Sequence, residues 1–236
     1  MCYNAPTSLA AFSITLITSA YLYYTGTKNN DKSDKLFSLV IFIIGLMQLL
    51  EYFIWKNQTC NITNHKLSLL ILLLLISHPI LGLGYHYYLY HKTNVYLLLL
   101  YLILFGSFSS YFLYQLNKKN LCTKPTEKSC RLNWDFMAII NKEYKQMGVI
   151  WYILYWIAVV VFLMPISLNT YERYPMRYSF IPLSFIGTVI YIFIEYSGDI
   201  KYFIKDPLII LKYMDVWGSL WCFSAVGLGI IGVLHI

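Results

Sequence analysis

Apolar runs of about twenty residues, separated by short polar turns, repeat along the chain, and a helix of that length matches the roughly 30 Å hydrocarbon core of a bilayer. Inside that core each backbone N–H and C=O must be satisfied within its own segment, which restricts such runs to helices. The runs fall at about residues 6–24, 36–55, 67–89, 95–116, 147–167, 178–196 and 207–234. The expected fold is therefore all-α, a polytopic membrane protein with a bundle of about seven transmembrane helices in a single domain over 1–236. Composition agrees. Charged residues make up 12% of the chain, where a soluble domain carries about 25%. The net charge of +7 does not point to nucleic acid, because the basic residues sit between apolar runs. The N-terminal region lacks a basic stretch, so residues 6–24 read as a retained span and not as a cleaved signal peptide.

The first run carries Ser8, Ser13, Thr15, Thr18 and Ser19, which predicts packing against other helices. The loop 56–66 holds Cys60 and the triplets Asn57-Gln-Thr and Asn61-Ile-Thr. Residues 117–146 form the longest polar stretch, with Cys122 and Cys130. Trp134, Met137, Ile140 and Tyr144 share one helical face there and predict a short interfacial helix. Asp206-Pro207 reads as the cap and first position of the last helix. Gly218, Cys222, Ala225, Gly229 and Gly232 offer that helix a face that a neighbour can approach closely.

Charge within the spans is sparse and so is informative. A carboxylate at mid-membrane costs about 2.5–3.5 kcal/mol on insertion scales and is expected to face a partner or water. Gln48, Glu51 and Trp55 lie on one face of the second run, and Ser184, Thr188, Tyr191 and Glu195 on one face of the sixth. Helix direction places Glu51, Glu195, Lys212 and Asp215 at one end of the bundle, with Ser219 close by. Gln48, Glu51, Trp55, Glu195, Lys212, Asp215 and Ser219, with His78 in the third run beside Pro79, are the candidate ligand-binding set. Two plainer readings compete: a structural ion-pair cluster of Glu51 or Glu195 with Lys212, and carboxylates that snorkel to interfacial water. For His78 the plainer reading is a hydrogen-bonded packing residue beside a proline kink.

Seven spans put the N-terminus, the loops at 56–66 and 117–146, and the 197–206 segment on one side. That side holds roughly twice as many basic residues as the other, which favours a cytoplasmic location. Two observations favour the opposite. Three lysines follow the first run and none precedes it. Cys2, Cys60, Cys122 and Cys130 also all fall on the same side outside the spans, as disulfides in an oxidising compartment would. The expectation is an outside N-terminus and an inside C-terminus. Four cysteines allow three pairings, and the sequence does not choose among them.

The absences narrow the chemistry. There is no H-x-x-x-H or H-E-x-x-H zinc pattern, no P-loop and no G-x-S-x-G. Retinal attachment needs a lysine at the middle of the last helix, where 217–226 has none. The membrane histidine–aspartate set of the alkaline ceramidase and adiponectin-receptor group is not matched. No cofactor, metal or catalytic residue is implied.

The stretch Met47-Gln-Leu-Leu-Glu-Tyr-Phe-Ile-Trp55, with Cys60, His78-Pro79 and Gly218-Ser-Leu-Trp-Cys-Phe223, resembles uncharacterised multi-pass membrane proteins of giant DNA viruses and some protists. The resemblance implies an integral membrane protein of viral or protist origin and implies no reaction. The leading expectation is a receptor- or transporter-like protein whose polar pocket binds or passes a small molecule, ion or lipid. Its partners would be membrane lipids and such a ligand. The alternatives are an intramembrane lipid-modifying enzyme using Glu51 or His78 as base, and a structural membrane protein without a ligand.

Overall fold

The computed structural model describes residues 4–90, 95–125 and 132–157, with single helical positions at 187, 190 and 227. The described residues are mostly helical. α1 (Ala5–Lys28), α2 (Lys32–Lys56), α3 (Ile62–Tyr90) and α4 (Val95–Asn117) are followed by the two-residue strands β1 (Lys124–Pro125) and β2 (Leu132–Asn133), then α5 (Asp135–Glu143) and α6 (Lys145–Ile157). In each of the first four, a stretch is long and apolar enough to cross a membrane. The expected fifth span begins as α6. Of the expected sixth and seventh, 178–196 and 207–234, only the helical positions 187, 190 and 227 are described.

Helix ends follow local polar chemistry. Asn4 caps α1, its side chain accepting from Thr7 N at 3.0 Å, and Pro6 sits in the first turn where a missing N–H costs nothing. α2 starts four residues before the apolar run, because Asp31 accepts from Ser33 N and Asp34 N and caps a polar first turn. Asn30 makes the reversal between α1 and α2 at φ 52°, a left-handed conformation that asparagine tolerates. α3 starts five residues before its apolar run, since Asn61 Oδ1 accepts from Asn64 N at 3.0 Å. Pro79 lies inside α3, and the helix continues through it to Tyr90.

α1 and α2 pack as a close hairpin. α1 buries Ser8, Ala11, Thr15, Thr18, Ser19 and Gly26, a nearly continuous small-residue face. Lipid tails are as apolar as leucine, so membrane helices associate through close packing and interhelical hydrogen bonds. Both are seen here. A Cβ on Gly45 would run into the Thr15 side chain, and one on Gly26 would lie 2.8 Å from Asp34 Cβ. Ser19 Oγ donates to the Ser38 carbonyl across the interface at 2.8 Å.

On the other flank, α6 returns along α4. Tyr101 stacks with Phe105, Phe105 with Trp151, and Trp151 with Tyr155. Trp151 Nε1 donates to Ser109 Oγ at 2.8 Å and Tyr101 Oη to the Leu154 carbonyl at 3.0 Å, so the polar tips of this aromatic stack are satisfied. The outer face of α4 presents Leu97, Leu100 and Ile103, each more than half exposed, as a lipid-facing surface would. α5 forms where the aromatic spacing predicts a helix. Its apolar residues Phe136, Met137 and Ile140 are buried within the chain, with Trp134 fully buried at its cap.

Candidate functional site

Gln48 and Glu51 stand one turn apart on the inner face of α2, 1% and 3% exposed. Gln48 Nε2 donates to Glu51 Oε2 at 3.1 Å. The other carboxylate oxygen is buried too, and Gln48 is not its sole interaction. Glu51 lies five residues from the end of α2, close enough for a free side chain to reach the interface, yet the carboxylate turns inward. For Glu51 this argues against the snorkelling reading; Glu195, to which that reading also applied, lies outside the described residues. Trp55, one turn further on, is half-buried against the core. Glu195, Lys212, Asp215 and Ser219 lie outside the described residues.

His78 belongs to another layer. Its Nδ1 is 3.2 Å from Tyr155 Oη, and its ring lies beside the Ile43 backbone. Nε2 is buried and makes no hydrogen bond among the described residues. Ile43 is eight residues before Glu51, about 12 Å along α2 at 1.5 Å per residue. His78 and Glu51 therefore do not form one catalytic pair. Among the described residues no group of His, Cys, Asp and Glu could hold a metal ion.

The end of the bundle bearing Cys60 holds a second polar assembly. Cys60 and Cys122 form a disulfide with Cα atoms 5.0 Å apart, joining the α2–α3 loop to the segment after α4. Cys2 and Cys130 lie outside the described residues. Among the described residues the segment 121–123 has no strand partner, and three side chains accept from its three consecutive N–H groups. His65 Nδ1 accepts from Leu121 N at 3.2 Å, Asp135 Oδ2 from Cys122 N at 3.1 Å and Asn64 Oδ1 from Thr123 N at 2.8 Å. Asn64 Nδ2 donates back to the Thr123 carbonyl at 2.8 Å and to the Asn57 carbonyl at 2.9 Å. Ser68 Oγ is 2.7 Å from Thr123 Oγ1. Asn64, Ser68 and Thr123 are fully buried. The triplet asparagines Asn57 and Asn61 hydrogen-bond each other's side chains at 3.0 and 3.1 Å, and Thr59 Oγ1 donates to Asn57 at 2.9 Å.

Sequence reasoning missed this assembly. Its signal was present: Asn61, Asn64, His65 and Ser68 stand at i, i+3, i+4 and i+7, a polar stripe on one helical face. Starting the third helix at residue 67 assigned Asn61, Asn64 and His65 to a loop and separated them from Ser68. At the surface nearby, Lys119 pairs with Glu143 at 2.9 Å, and that carboxylate's hydrogen bond and charge raise the lysine above its usual range.

No protein-family profile, curated protein or solved structure matches the chain. The helices support membrane association, and the geometry above is what bears on function.

Proposed function

We propose that this chain is a seven-helix integral membrane protein whose polar intramembrane site, centred on Gln48 and Glu51, binds or passes a small molecule, ion or lipid. The observation that carries the reading is the buried Gln48–Glu51 pair on the inner face of a membrane-length helix. A carboxylate in such a place is expensive and marks a ligand, ion or proton path more often than a packing contact. In this proposal Glu195, Lys212, Asp215 and Ser219 complete the site from the sixth and seventh spans. The Cys60–Cys122 pair supports placing that end of the bundle, and with it the N-terminus, in an oxidising compartment. The likeness to giant-virus and protist membrane proteins rests on the short stretches quoted above. The enzyme reading is weaker, because His78 and Glu51 lie in different layers and cannot share one proton transfer.

The test is native mass spectrometry of the purified protein in lipid nanodiscs, wild type beside Glu51→Gln, which keeps the shape and removes the charge. A small molecule or specific lipid retained by the wild type and lost by the variant supports the site. If neither form carries an adduct and the variant is merely less stable, Gln48 and Glu51 serve packing alone.

A further inference from the structure

A groove of about 520 Å³ runs between α3 and α4, away from the Gln48–Glu51 pair. Leu69, Leu70, Leu73 and Leu113 line its walls, and Lys66 and Asn117 stand at one end. Leu70 and Leu73 are nearly half exposed, at 46% and 48%. The groove has a direction. From Lys66 to Leu73 is seven residues, about 10 Å along α3 at 1.5 Å per residue. It therefore starts at the disulfide-bearing end, where the spans meet the interface, and descends through much of one leaflet, whose hydrocarbon is about 15 Å deep.

Its mouth carries Lys66. Lys118 is not a lining residue, but its Nζ lies 4.0 Å from the centroid of the Tyr114 ring, which does line the groove, so a second ammonium is one ring away from it. Neither lysine is held by a carboxylate among the described residues, whereas neighbouring Lys119 is held by Glu143. An apolar channel at leaflet depth, with one lining cation and an amide donor at its interfacial end and a second cation against the lining Tyr114 ring, matches one kind of occupant. A second copy of the chain packed symmetrically here would bring Lys66 and Lys118 against their own kind.

We propose that this groove binds one anionic phospholipid. The phosphate sits between Lys66, Lys118 and the Asn117 amide, and an acyl chain lies along Leu69, Leu70, Leu73 and Leu113. The site stands independently of the Glu51 reading, since neither Gln48 nor Glu51 lines the groove.

The test uses the full-length protein in nanodiscs containing equal amounts of phosphatidylcholine and phosphatidylglycerol, with retained lipids counted by native mass spectrometry. The wild type is expected to keep one phosphatidylglycerol in preference to phosphatidylcholine. Juxtamembrane lysines contribute about 1 kcal/mol each toward anionic lipid. Lys66→Glu with Lys118→Glu should therefore lower that retention roughly tenfold or more. Leu73→Trp, at an exposed position, should abolish it by filling the groove with the charges intact, and Leu70→Trp should repeat the effect. Lys56→Glu with Lys124→Glu changes the charge at the same end but outside the groove and should leave retention unchanged. Equal retention of the two lipids, or an equal loss in the control pair, overturns the proposal. So does a dimer mass that Leu73→Trp removes, because a second copy would then occupy the groove.

Discussion

Asn64 is a side chain doing the work of a strand neighbour. Its amide donates to and accepts from the two backbone groups of Thr123, as a peptide in a β-ladder would, while the residues on either side of it in the structure are helical. Asn64→Leu leaves two buried backbone groups unsatisfied at about 1–3 kcal/mol each. The expected result is a large fall in the thermal midpoint in detergent micelles, with Ser110→Ala, at an exposed site, as the unchanged reference. An unchanged midpoint for Asn64→Leu would mean the clasp is dispensable. At the same scale, His65 accepts from Leu121 N through Nδ1, so its ring proton must sit on Nε2. His65→Phe keeps the bulk and removes this acceptor, but Leu121 N also donates to the Lys119 carbonyl at 3.1 Å, so the loss should be only about 0.5–1.5 kcal/mol by the same measurement. Full stability in this variant would show that the Lys119 carbonyl alone satisfies Leu121 N.

Between elements, the α1–α2 hairpin depends on the absence of a side chain at one position. Gly45 lies where any Cβ would meet Thr15, so the two backbones approach closely only while residue 45 is glycine. Gly45→Ala is expected to cost about 1–3 kcal/mol through overpacking. Thr15→Ala should recover part of that loss by removing the hydroxyl that the new methyl meets. A double-mutant cycle on thermal or steric-trap unfolding reads the coupling, and strict additivity would mean the helices separate to make room. The α4–α6 contact is built differently, from stacked aromatic rings whose polar tips are bonded, and it has no comparable glycine among its described contacts.

For the molecule as a whole, the disulfide and the clasp bind the α2–α3 loop to the chain after α4 across 62 residues of sequence. A crosslink acts chiefly by restricting the unfolded chain, typically by about 2–4 kcal/mol. In the proposed membrane setting a bilayer holds the ends of α2 and α4 at one surface, so the gain should fall at or below the lower end of that range. Cys60→Ser with Cys122→Ser should lower the thermal midpoint modestly, and reductant should lower the wild type to match the double variant without shifting the variant. A reductant effect on the double variant would point to a second pair involving Cys2 or Cys130.

The sequence by itself determined that the chain is helical, with helices long and apolar enough to cross a membrane, because span length and hydropathy are local properties. It also singled out Glu51, since one carboxylate in an apolar run is conspicuous without any neighbour being known. Helix starts were less legible. Asp31 and Asn61 extend α2 and α3 into residues whose polarity reads as loop, and this hid the stripe of Asn64, His65 and Ser68. Only the tertiary structure decided that Glu51 turns inward, that His78 belongs to the Tyr155 layer, that Cys60 pairs with Cys122, and that Lys66 and Tyr114 line one groove. Each of these joins residues distant in sequence, or chooses between two faces of one helix. Packing makes that choice, and hydropathy along the chain does not encode it.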